Sequence, residues 1–98
     1  MARYRLSNKA ESDLRGIVKY AIQNWGLNQA SAYPSDLRLC LDQIAAYPFS
    51  RRPCSTIPAG YRRVECGRHV VFYRIMEDGD VLVSRVLHSG MLPQRHPL

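Results

Sequence analysis

A chain of 98 residues with 46% hydrophobic content has room for one small core and excludes two folded domains, so residues 1–98 are expected to form a single unit. Fourteen lysines and arginines against eight aspartates and glutamates leave a net charge of +6, which favours an acidic partner: nucleic acid, an acidic protein segment or an anionic surface. The opening MARYRLSNKAESDL lacks the apolar run of a signal peptide, no window approaches a membrane span, and Cys40, Cys54 and Cys66 lack CxxC spacing; the expectation is a cytoplasmic protein with reduced thiols and no membrane, cofactor or structural metal.

Arg3-Tyr4-Arg5-Leu6 alternates charged and apolar residues, which predicts a short strand at a sheet edge where arginines discourage further pairing. Ser7 or Asn8 can cap the helix that follows, and Asn8 with Glu11 approximates a capping box. Within it Ala10, Leu14, Ile17, Val18, Ala21, Ile22 and Trp25 recur at steps of three and four and form one apolar stripe, which Gly26 ends as a left-handed cap. A second helix carries Ala30, Tyr33, Leu37, Cys40, Leu41, Ile44 and Ala45 on its stripe, with Cys40 as a core residue, and the short joint at Gly26 to Asn28 makes the pair an antiparallel hairpin. Pro34 predicts a kink, because an interior proline removes a helical hydrogen bond; a restart with Pro34 in the first turn is the competing reading. Tyr47-Pro48 stops the helix, and residues 49–60 form a proline-punctuated connection in which Thr56-Ile57 can be extended.

From Tyr61 to His88 the sequence reads as three antiparallel strands divided by Gly67-Arg68, suited to a type II′ turn, and Asp78-Gly79, favoured in type I′ hairpins. Two-residue turns at both places fix the register and assign every side chain a face. One face then carries Arg62, Val64, Cys66, His69, Val71, Tyr73, Ile75, Leu82, Ser84, Val86 and His88. The other carries Tyr61, Arg63, Glu65, Val70, Phe72, Arg74, Met76, Val81, Val83, Arg85 and Leu87. Neither shows the clean polar pattern of a solvated sheet face, so each needs a cover. The first suits a permanent core under helices, whereas the second interleaves arginines with Phe72, Val83 and Leu87 in the manner of a binding surface. The fold class is therefore α+β, in the order β-α-α-β-β-β, with a helical hairpin packed on one face of a small antiparallel sheet. The tail SGMLPQRHPL has two prolines and no period.

Carboxylates are too scarce for paired-carboxylate catalysis: after residue 42 only Glu65, Glu77, Asp78 and Asp80 remain, three of them in a hairpin turn. Cys66, His69 and His88 fall near one end of one face, but satisfied histidines at a sheet margin are commoner than a metal site. Metal-free RNA cleavage by Arg63, Arg74 and Arg85 with Tyr61 is the remaining catalytic option. No lysine follows Lys19 and no histidine shares that face, and arginines clamp phosphates well but are poor acids and bases, so the residues favour binding over catalysis.

Taken together, YRLSNKAESDLRGIVKYAIQNWG, QASAY, LRLCLDQIAAYP, GYRRVECGRHVVFYRI, VSRVLHSGM and RHPL resemble, in order and spacing, the ParE subgroup of the RelE/ParE toxins over essentially the whole chain. The resemblance implies the toxin of a type II toxin–antitoxin system that inhibits DNA gyrase and forms a hetero-oligomer with a ParD-like antitoxin, whose C-terminal region wraps along it. Combined with the face assignment, the expected target-facing region is Arg63, Arg74, Arg85, His88, Met91 and Arg95, and the expected antitoxin surface is the exposed apolar Phe72, Val83 and Leu87 beside those arginines with part of the helical hairpin. The competing expectations are a ribosome-dependent messenger-RNA endoribonuclease of the RelE type and a basic nucleic-acid-binding module with steep salt dependence. Gly90 stands where relatives often have arginine, and Leu92 where they often have aspartate.

Overall fold

The computed structural model describes residues 3–30, 32–50, 60–88 and 97–98. Expectations for the side chains of Ala30 and Tyr33, for Cys54, for Thr56-Ile57 and for Met91 and Arg95 lie outside the described residues. The chain runs β1 (Tyr4–Leu6), α1 (Asn8–Ala30), α2 (Ala32–Ala46), a short 3₁₀ turn (Pro48–Ser50), β2 (Tyr61–Cys66), β3 (His69–Ile75) and β4 (Val81–His88). The four strands form one sheet in the order β1-β4-β3-β2, with β1 at an edge as expected and parallel to β4 while the other pairs are antiparallel. Among the described residues no helix is long and apolar enough to cross a membrane.

Ser7 closes β1 and opens α1. Its hydroxyl accepts the Ala10 amide at 3.0 Å and donates to the Ser84 carbonyl at 2.8 Å, so one side chain caps the helix and ties it to β4. Gly26 breaks the first helical stretch with φ +78° and ψ 169°, a conformation that glycine adopts far more easily than residues with a Cβ. Pro34 falls within the helical residues of α2 (Ala32–Ala46).

The turn between β2 and β3 is the two-residue one expected, with Gly67 at φ +62°, Arg68 outside the positive-φ region and Cys66 opposite His69. The second turn differs. The Met76 amide donates to the Asp80 carbonyl and the Gly79 amide to the Met76 carbonyl, closing a three-residue loop over Glu77, Asp78 and Gly79. Ile75 therefore faces Val81, and the extra loop residue is compensated by a bulge at Ser84, beyond which Phe72 faces Arg85 and the expected register resumes. The consequence is a correction for three residues: Val81 and Val83 turn to the helix side and Leu82 turns away from it.

The main core lies between the helices and the sheet, where Leu37, Leu41 and Ile44 meet Val64, Val71, Tyr73, Val81, Val83 and Val86. Tyr73 is fully buried, and its hydroxyl is satisfied by the Pro48 carbonyl at 2.8 Å. Cys40 of α2 and Cys66 of β2 form a disulfide across this interface, with Cα atoms 6.1 Å apart. The expectation of reduced thiols is therefore corrected for Cys40 and Cys66. Core membership of Cys40 and a first-face position for Cys66 bring the two side chains to the same interface, and helix placement over the sheet decides that they meet. On α1 the stripe is only partly covered, since Val18, Ile22 and Trp25 are exposed.

Candidate functional site

The sheet face turned away from the helices is organised in cross-strand rows. Arg63, Phe72 and Arg85 stand opposite one another, followed by Glu65, Val70 and Leu87, with Tyr61, Arg74 and Leu82 on the other side. Phe72, Val70 and Leu87 form a second small apolar cluster, covered by Tyr61 and by Leu98 at the chain's end. Arg63 and Arg74 are exposed, and the Arg63 guanidinium sits 5.8 Å from the centre of the Phe72 ring. The exposure expected of the apolar residues beside these arginines is corrected: Phe72 and Leu87 are buried under the terminal residue, and Val83 is in the main core.

Arg85 has a partner that the strand pattern does not reveal. β1 ends before it can pair with the outer part of β4, which leaves the Val86 amide at an open edge. Asp13 of α1 fills that position: its Oδ2 accepts the Val86 amide at 3.0 Å and Arg85 Nε at 2.8 Å, while Oδ1 accepts Arg85 Nη2 at 2.8 Å. Both side chains are only 13% exposed. Bidentate geometry of this kind holds the guanidinium in one orientation, and the hydrogen bond to Asp13 raises the Arg85 pKa above its already high value. Arg85 Nη1 and Lys9 Nζ both donate to the Pro97 carbonyl at 3.2 Å, which fastens the end of the chain over the second apolar cluster. Arg85 is thus a structural cation that joins helix, sheet edge and terminus, whereas Arg63 and Arg74 project into solvent. Composition shows no sign of Asp13, because its partner lies 72 residues away.

His88 lies on the helix side, opposite His69, with the two rings edge to face at 5.7 Å. Burial lowers the His69 pKa below the ordinary 6.5, the neighbouring His88 lowers it further, and Asp13 partly offsets both. The unfolded chain therefore binds a proton at this position more readily than the folded one. Stability is expected to fall as the pH drops below about 6.5 toward the folded His69 value, and to be insensitive to this group at higher pH. Thermal unfolding from about pH 7.5 to about pH 5.5 checks this, and His69→Gln should flatten the slope; an unchanged slope in the variant refutes it. Among the described residues no group of three or more histidines, cysteines or acids is arranged to hold a metal ion.

The helical hairpin carries a second surface. Val18 and Ile22 are exposed beside Leu14 in a groove between α1 and α2 that is bordered by Arg15, Lys19 and Arg38. Such a surface, apolar along its floor and cationic along its rim, suits an amphipathic segment of acidic character.

A helical hairpin over a four-stranded sheet, with an arginine-bearing outer face, defines the class. The fold matches the chromosomal ParDE toxin–antitoxin system of Pseudomonas aeruginosa with a TM-score of 0.78 at 14% identity, covering 90% of this chain and 96% of that one. It also matches the RelBE2 toxin–antitoxin complex of Mycobacterium tuberculosis with a TM-score of 0.66 at 18% identity, covering 89% and 96% of the two chains. This is the fold of RelE/ParE-type toxins. Within that class, residues 4–93 match the family described as ParE toxin of the type II toxin–antitoxin system parDE, and the chain belongs to that family. It is 41% identical over 96 residues to Toxin ParE1 of Caulobacter vibrioides, covering 98% of each. Toxin ParE1 of Mycobacterium tuberculosis is 39% identical over 90 residues, covering 92% of each, and Toxin ParE of Escherichia coli is 32% identical over 91 residues, covering 93% of this chain and 88% of its own.

Proposed function

We propose that this type II toxin acts by inhibiting DNA gyrase and is neutralised by a ParD-like antitoxin. The observation that carries the reading is similarity along nearly the full length to toxins named ParE. The outer sheet face supports it, because Arg63 and Arg74 present exposed guanidiniums beside Tyr61, a set that clamps an anionic protein or DNA surface well and exchanges protons poorly. These two arginines, with Met91 and Arg95, are the target-facing region, and His88 stands on the other side of the sheet from them. The antitoxin lays an acidic amphipathic segment into the groove of Leu14, Val18 and Ile22, where Arg15, Lys19 and Arg38 match its charge. Phe72 and Leu87 become available to it only where Leu98 is displaced.

The test is a supercoiling assay with relaxed plasmid, ATP, purified gyrase and toxin freed of its antitoxin. Supercoiling should be lost and linear DNA trapped, with activity restored by antitoxin. The double substitution Arg63→Ala/Arg74→Ala should weaken inhibition by about tenfold or more while leaving the melting temperature nearly unchanged. Full gyrase activity in the presence of folded toxin would refute the gyrase reading, and specific cuts in ribosome-bound messenger RNA would then assign the RelE-type activity instead.

A further inference from the structure

The Cys40–Cys66 bond sits where the sheet ends. β2 is the last strand in the order β1-β4-β3-β2, and among the described strands it pairs with β3 alone. Its residues alternate: Val64 and Cys66 enter the main core, whereas Arg63 and Glu65 are exposed and Tyr61 and Arg62 are half-buried. Arg62 adds a contact on the helix side, with its guanidinium 5.3 Å from the centre of the exposed Phe49 ring. Val64 and Cys66 are thus the apolar anchors that hold this strand beneath the helices, and one of the two does so through a covalent bond to α2. A terminal strand with two core side chains belongs to the part of a fold that opens most easily, and here the bond is what restrains it.

The two cysteines differ in access. Cys66 is 5% exposed, whereas Cys40 is only partly buried on α2, so a small thiolate reaches the bond at Cys40. Attack there joins the small thiol to Cys40 as a mixed disulfide and expels Cys66 as a thiolate, which takes a proton from solvent. A second small thiol then attacks the outer sulfur of the mixed disulfide, releasing the Cys40 thiol and the oxidised small molecule. In sum, one protein disulfide and two small thiols become two protein thiols and one small disulfide, with two electrons transferred; the small disulfide is the oxidant for the reverse reaction. Once reduced, both cysteines remain small apolar side chains in the interface they already occupy, so the core keeps its filling while the tether is gone. We propose that the Cys40–Cys66 pair is a redox switch on the edge of the sheet: oxidised, it clamps β2 under α2; reduced by a monothiol such as glutathione acting at Cys40, it lets β2 open while the rest of the sheet stays folded. Because Arg63 lies on β2, the same step decides whether its guanidinium keeps its place in the row with Phe72 and Arg85. The switch does not depend on which macromolecule the outer face meets, so it stands apart from the gyrase reading.

The test uses the full chain carrying Cys54→Ser, so that every thiol reading belongs to the pair. In native buffer the rate of reduction should rise in proportion to the concentration of glutathione, and glutathione disulfide should restore the bond. With the second substitution Cys66→Ser, the chain should take up glutathione at Cys40 at least about tenfold faster than the Cys40→Ser chain takes it up at Cys66. Hydrogen exchange then locates the motion: on reduction, the amides of β2 should accelerate by at least about tenfold more than those of β4. The proposal is overturned if reduction runs at a rate independent of glutathione concentration, because the bond would then open only through unfolding of the whole chain. It is also overturned if Cys66 captures glutathione as fast as Cys40 does. Equal acceleration of β2 and β4 overturns it as well, since the bond would then be a staple for the whole fold and not a switch at its edge.

Discussion

Asp13→Ala is expected to destabilise the fold by about 3–5 kcal/mol, because it strands a guanidinium and a backbone amide at once. Arg85 and Asp13 are each 13% exposed, so solvent cannot replace the lost carboxylate without opening the structure. The substitution also leaves the Val86 amide at the open edge of β4 with no acceptor, and it frees Arg85 from the orientation in which it holds the Pro97 carbonyl. Urea unfolding of the parent, Asp13→Ala, Arg85→Met and the double variant checks this. The double variant should recover part of the loss, since it removes the buried charge along with its partner. A single-variant loss below about 1 kcal/mol would mean that the pair behaves as an ordinary surface salt bridge.

The second large effect is expected on reduction. The Cys40–Cys66 cross-link spans a sequence separation of 26, for which the chain-entropy estimate gives about 3–4 kcal/mol of stabilisation. For a domain of this size, a loss of that magnitude lowers the melting temperature by roughly 15–25 °C. Heating the oxidised protein, the reduced protein and Cys66→Ser side by side measures it, with the last two expected to melt together. Equal melting of all three would show that the bond does not form in solution. A cytosolic thiol pool tends to reduce such a bond, so the stability that matters for toxicity depends on where and how quickly the chain is oxidised.

Much of the fold is readable from residue order because the relevant signals are local. Ser7 caps α1, Gly67-Arg68 sets the first turn, and alternation from Tyr61 to Cys66 fixes which residues enter the core. Asp78-Gly79 misleads because the same dipeptide serves a two-residue loop and a three-residue loop with glycine in the left-handed position. What selects the longer one is the bulge at Ser84, whose carbonyl is met by Ser7 from the other end of the chain. Val83 changes face for that reason alone. The candidate surfaces show the same division. Exposure of Arg63 and Arg74 follows from strand register, but the engagement of Arg85 depends on where β1 stops and on a helix residue far away in sequence. The covering of Phe72 and Leu87 depends on the terminus folding back, which periodicity does not encode.

The parallel pairing of β1 with β4 has a consequence for the order in which this toxin comes into being. Arg3 and Ser7 bond to Asp80 and Ser84 across sequence separations of 77, so the first strand made waits for the last. During synthesis the helical hairpin emerges with its apolar face uncovered, and the Asp13–Arg85 clasp cannot form until β4 has left the ribosome. The nascent chain therefore presents an unfinished molecule until β4 has been made, and sheet, helix cover and clasp close together on that strand.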